Sequence, residues 1–100
     1  MRAYISAKYY TLSDRKILER LCSTIESLGV DTYLLPRDAE EWFVKKLGGK
    51  ELIEKSKEEI GKSDFLILEF SYGEINLGAE IGQAFFLGKP IVIITNNKRI

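Results

Sequence analysis

Glu80 lies in Gly78-Ala79-Glu80-Ile81-Gly82-Gln83-Ala84, where the apolar spacing across residues 76–87 predicts a helix. A carboxylate in the first turn of a helix meets the positive end of the macrodipole, which favours the anion, and an anionic carboxylate is a nucleophile. The plain alternative is a solvated charge at a helix start, common in any protein. Tyr4 is the second residue of interest. It lies in a segment, residues 2–7, where Ala3 and Ile5 alternate with Tyr4 and Ser6, so it is either a strand aromatic packed in a core or a phenol offered to a site. Cys22 is the single cysteine and there is no histidine, so no internal disulfide can form and the usual zinc ligand sets are missing. Asp64, Glu69 and Glu74 read as strand-end or loop-edge charges.

The elements that must position these residues alternate in type. After the first strand, Thr11 or Ser13 caps a helix in which Ile17, Leu18, Leu21, Cys22, Ile25 and Leu28 share a face, and Gly29 stops it. A second strand over residues 30–35 ends at Pro36. Asp38 and Glu41 have the spacing of a capping box, predicting a short helix with Trp42, Phe43 and Leu47 that Gly48-Gly49 breaks. Residues 50–62 form a helix carrying Leu52, Ile53, Ser56 and Ile60 on one stripe. Residues 65–70 and 91–95 are nearly continuous apolar runs, the pattern of strands buried on both faces. Such alternation predicts a single-domain, three-layer α/β fold of Rossmann or flavodoxin type, with a parallel sheet of order 2-1-3-4. Its crevice opens at the carboxyl ends of strands one and three, where residues 4–8 and 69–80 would meet.

Composition bounds the partners. One hundred residues with 45% hydrophobic and 30% charged residues suit one folded unit. Fifteen basic and fifteen acidic residues cancel, without the basic footprint of a nucleic-acid binder, and no apolar stretch is long enough to span a bilayer. Neither nucleic acid nor membrane is expected as a partner. The lone cysteine and the absence of an export-like start point to reducing cytoplasm. A domain this small gains from burying further apolar surface, so a homodimer is expected, with Trp42 and Phe43 as candidate anchors.

The segment from Gly78 to Ala84, followed by Leu87-Gly88-Lys89-Pro90 and a strand, resembles the most characteristic stretch of the nucleoside 2-deoxyribosyltransferase family and its deoxynucleoside 5′-phosphate N-hydrolase relatives. Lys62-Ser63-Asp64 entering an apolar strand and Ala3-Tyr4-Ile5-Ser6-Ala7 at the start resemble other parts of the same family. The resemblance covers nearly the whole chain, and the Glu80 segment is its specific part. It implies that Glu80 is a nucleophile which Tyr4 holds by a hydrogen bond, that the ligand is a nucleoside or nucleotide, and that no cofactor is needed. Displacement of the base gives a covalent glycosyl-enzyme, resolved by water in a hydrolase and by a second base in a transferase. Gly73, Gly78 and Gly82 would let sugar or phosphate approach the backbone, with Asn76, Lys8 and Ser6 as further binding candidates.

The chain departs from the family at three places. The family's acid, an aspartate on the helix before strand three, falls without gaps on Ser56, which leaves Glu59, one turn on, as the substitute acid and Ser56 as a binding residue. The glycine-containing turn after strand one is replaced by Lys8-Tyr9-Tyr10, and the family's residues beyond the last strand have no counterpart after Ile100. Three readings follow: an N-glycosidase or deoxyribosyltransferase, a nucleotide-binding module with the same crevice and no cleavage, and a TIR-like NAD-handling domain, whose opening Tyr4-Ile5-Ser6-Ala7 and Asp14 also resemble.

Overall fold

The computed structural model describes residues 1–9, 11–69 and 78–94. Four parallel strands, β1 (Arg2–Ser6), β2 (Asp31–Leu34), β3 (Phe65–Glu69) and β4 (Ile91–Ile94), form one sheet in the order β2-β1-β3-β4. The sequence predicts this order. Connecting them are α1 (Leu12–Ser27), the single turn α2 (Leu35–Asp38), α3 (Gly49–Gly61) and α4 (Gly78–Phe86). Among the described residues no helix is long and apolar enough to cross a membrane.

The two-residue alternation of a strand divides β1 between two cores. Ala3 and Ile5 join Leu18, Cys22 and Ile25 of α1, with Leu34 and Ile67, on one face of the sheet. Tyr4 faces the other way and packs with Tyr33, Ile60 of α3, Leu66 and Ala84 of α4. Ser6, two residues beyond Tyr4, shares that second face. This parity aims β1's polar groups at α4.

Local signals explain most boundaries. Thr11 caps α1: its hydroxyl accepts from Asp14 N at 3.2 Å while the Asp14 carboxylate accepts from Thr11 N at 2.9 Å, a complete capping box of the kind whose loss costs about 1 kcal/mol. The apolar stripe of α1 is narrower than its spacing suggests, since Ile17 and Leu28 are exposed. Gly29 ends that helix with φ of 85°, a conformation that glycine adopts without steric cost.

Two expectations are corrected. The short helix anticipated after an Asp38 cap, with Trp42, Phe43 and Leu47, is absent, because the chain already turns as α2 with Pro36 in its first turn, and Glu41, Trp42 and Phe43 then take φ of 47°, 57° and 71°. The expected capping box is replaced by a backward bond, Leu34 N donating to Asp38 Oδ2 at 2.9 Å. Trp42 therefore packs against the α1-side core, with the Arg15 guanidinium 4.9 Å from its ring centre. The second correction concerns β4. β3 is buried as expected, whereas β4 is an edge strand with Ile93 64% exposed, and Phe85 and Phe86 of α4 are 81% and 87% exposed.

Candidate active site

The site is built at the carboxyl end of β1. Tyr4 is fully buried, its ring lies 5.7 Å from that of Tyr33 at an interplanar angle of 25°, and its hydroxyl donates to Glu80 Oε2. Ser6 Oγ donates to the other carboxylate oxygen, Glu80 Oε1, at 2.6 Å. Each oxygen of Glu80 thus accepts from one hydroxyl of β1, and the side chain springs from the third residue of α4, in its first turn. Burial first, and the neighbouring Glu80 charge second, push the Tyr4 phenol upward from its ordinary range, so it stays a donor.

Glu80 opens onto a cavity of about 330 Å³. Tyr4, Ile5, Ala7, Lys8 and Tyr9 contribute from β1 and the segment after it; Leu35, Pro36, Glu40 and Phe43 come from the segment after β2; and Leu52, Ile53 and Ser56 come from α3. The walls are mostly apolar, with few polar groups converging, which is the usual make-up of a small-molecule pocket. Of these lining residues, Tyr9 and Phe43 meet edge to face, ring centres 4.8 Å apart.

Of the residues singled out from the sequence, Tyr4, Ser6 and Glu80 come into direct contact, and Lys8 and Ser56 line the same cavity. Ser56 Oγ is 3.0 Å from its acceptor Ile53 O and 3.4 Å from Gln83 Oε1. Gly78 opens α4, and Gly73 and Asn76 lie outside the described residues. Glu59 is not brought to the cavity. One helical turn beyond Ser56, it faces the opposite end of β1, where it forms an ion pair with Arg2 and others with Lys55 at 3.4 Å and Lys62 at 3.7 Å. Gly82 is exposed, and a Cβ added there would meet no protein atom within 4 Å.

Glu40, Tyr9 and Phe43 also line the cavity, and no motif in the sequence points to them. The rule that parallel sheets gather their sites at carboxyl strand ends applies to β2 as well as to β1 and β3, and it would have drawn attention to the segment after Leu34. Among the described residues no group of histidine, cysteine, aspartate and glutamate side chains is arranged to hold a metal ion.

Fold and site define an α/β domain with a parallel 2-1-3-4 sheet and a hydroxyl-held carboxylate at the carboxyl ends of its strands. Neither a protein-family model nor a curated protein matches the sequence. Solved structures do match the fold. The 2-deoxyribosyltransferase of the psychrotolerant bacterium Bacillus psychrosaccharolyticus superposes with a TM-score of 0.79 at 16% identity, over all of this chain and 76% of that one. The CMP N-glycosidase BcmB of Clostridium botulinum superposes with a TM-score of 0.72 at 17% identity, over 95% of this chain and 71% of that one.

Proposed function

We propose that this chain cleaves or transfers the N-glycosidic bond of a nucleoside or nucleoside 5′-monophosphate, with Glu80 as nucleophile and Tyr4 as its orienting partner. The observation that carries this reading is the pair of hydroxyl bonds, Tyr4 to Oε2 and Ser6 to Oε1, that fixes the Glu80 carboxylate at the cavity wall. A carboxylate fixed this way is pre-oriented for attack on an anomeric carbon, which saves the entropy of aligning it in each turnover. The activities named for the two structural neighbours, deoxyribosyl transfer and CMP N-glycoside cleavage, support the same class of reaction. Attack at the anomeric carbon breaks the bond to the base and leaves a glycosyl-Glu80 ester, which water or a second base then resolves. Lys8 belongs to the proposal as a phosphate partner and Ser56 as a wall of the base pocket. A homodimer belongs to it too, since exposed Phe85, Phe86 and Ile93 offer apolar surface for a second copy to cover.

The test is release of free base from a panel of nucleosides and nucleoside monophosphates, read by chromatography, with Glu80→Gln beside the wild type. The variant keeps the side chain's shape, so binding should persist while base release falls by several orders of magnitude, roughly the loss seen when a nucleophile is removed. Undiminished release in the variant would sink the assignment of Glu80. A second reading, a nucleotide-binding module without cleavage, draws on the serine at position 56, whose hydroxyl lacks the acidity of a proton donor matched to neutral pH. It stands if the wild type binds a monophosphate, releases no base, and Glu80→Gln changes that affinity only a few fold.

A further inference from the structure

Among the described residues two carboxyl side chains line the cavity, Glu80 and Glu40, and their surroundings differ. Glu80 is met by two hydroxyl donors. Glu40, on the wall that follows β2, is 5% exposed, and its Oε2 accepts a single backbone bond from Leu47 N at 3.3 Å. No ion pair reaches Glu40 among the described residues, Lys8 on the same cavity included, and its neighbours there are Leu35, Pro36 and Phe43. A carboxyl in a mostly apolar wall with no ion-pair partner among the described residues is an unusual choice for packing alone, since buried acidic side chains are normally paired. The backbone just after it is unusual too. Glu41, Trp42 and Phe43 are three consecutive non-glycine residues with positive φ, a conformation that side chains disfavour. Positive-φ backbone thus directly follows a cavity-lining carboxyl that has no cation partner, a pattern expected where structure serves a site.

We propose that Glu40 is the second catalytic carboxyl, the acid that protonates the departing base. The proposal rests on the glycosidase reading above. In the first step a Glu80 oxygen bonds to the anomeric carbon, the bond from that carbon to the base nitrogen breaks, its electron pair goes to the base, and the Glu40 carboxyl proton passes to the base. Glu40 is left as a carboxylate. In the second step water attacks the same carbon, its proton passes to Glu40, and the Glu80 carboxylate departs, so both groups are restored. Ser56, on the α3 wall, then shapes the pocket and needs no acidity.

The experiment compares leaving groups with and without need of a proton, in single turnovers with enzyme in excess. The substrates are the four 2′-deoxynucleoside 5′-monophosphates and 4-nitrophenyl 2-deoxyriboside 5-phosphate, whose phenolate leaves unprotonated. Glu40→Gln, which keeps the bond to Leu47 N, should slow base release by roughly 10²- to 10⁴-fold, the usual contribution of a general acid. It should leave nitrophenolate release within a few fold of wild type, and Glu40→Asp should recover part of the lost base release. Glu80→Gln should abolish both reactions. Equal loss on both substrate types, or no loss on either, overturns the role of Glu40 while the Glu80 assignment stands. If the wild type releases base from none of the four monophosphates, the glycosidase reading and this role fall together.

Discussion

β1 has a buried or half-buried glutamate at each end, and the two are treated in opposite ways. At the amino end Glu59 is ringed by Arg2, Lys55 and Lys62, three cations around one carboxylate. At the carboxyl end Glu80 meets two hydroxyl groups and a cavity that Glu40 also lines. Neutralising a buried charge with cations settles it into the fold, because little is gained by moving it. Holding a charge by neutral donors fixes its direction and keeps it available to a ligand. The difference separates a carboxylate that ties α3 to the sheet from the one proposed as nucleophile.

The sharpest way to break this comparison is to remove the hydroxyl that only the cavity end possesses. Tyr4→Phe keeps the stack on Tyr33 and leaves Glu80 with Ser6 alone, so base release should fall by on the order of 10²-fold, the scale of losing one pre-organised donor. Unchanged steady-state kinetics would show that the hydrogen bond does not orient Glu80. At the amino end the opposite outcome is expected. Arg2→Met removes the closest cation of Glu59 and the guanidinium 5.0 Å from the Tyr33 ring centre, and should cost roughly 1–3 kcal/mol in urea unfolding while catalytic constants stay within a few fold. A loss of activity larger than the loss of stability would mean that Glu59 belongs to the site after all.

The smallest effect lies at alkaline pH, through the tyrosine pair between the two ends. Burial pushes the Tyr33 phenol from about 10 up to about 12, with the charges of Glu59 and Asp38 adding to the shift. Tyr4 moves in the same direction. Folded phenols thus keep protons that unfolded ones lose. Their contribution is complete below pH 10 and is lost as pH rises through the folded values, by on the order of 1 kcal/mol per tyrosine at pH 11. Unfolding midpoints at pH 9, 10 and 11, with absorbance near 295 nm following phenolate, should fall along this course, and Tyr33→Phe should flatten it. Equal slopes in the variant would exclude Tyr33 as a source.

Much of this molecule was legible in the chain, for reasons that are local. The alternation of Ala3 and Ile5 with Tyr4 and Ser6 puts the second pair on one face whatever that face meets, because strand periodicity is two. Thr11 and Asp14 cap α1 through bonds spanning three residues. Strand-helix alternation and right-handed crossovers fix the order 2-1-3-4 with few competitors. Glu80 could be placed in the first turn of a helix from spacing alone.

The remainder depended on which elements meet. The Asp38 and Glu41 spacing suits a helix, but Asp38 is drawn back to Leu34 N and the next residues bend to seat Trp42 on the α1-side core, so tertiary packing overrides a short-range signal. β3 and β4 both read as apolar runs, and only the sheet order decides that one is central and the other an edge. Glu59 and Ser56 lie three residues apart on one helix, yet the path of α3 across the sheet sends the first to Arg2 and the second to the cavity. Glu40 carries no motif. That it lines the same cavity as Glu80 is decided by the path of the chain after β2, which no local pattern encodes, because which residues share a cavity across 40 positions of sequence is fixed only when the whole sheet is assembled.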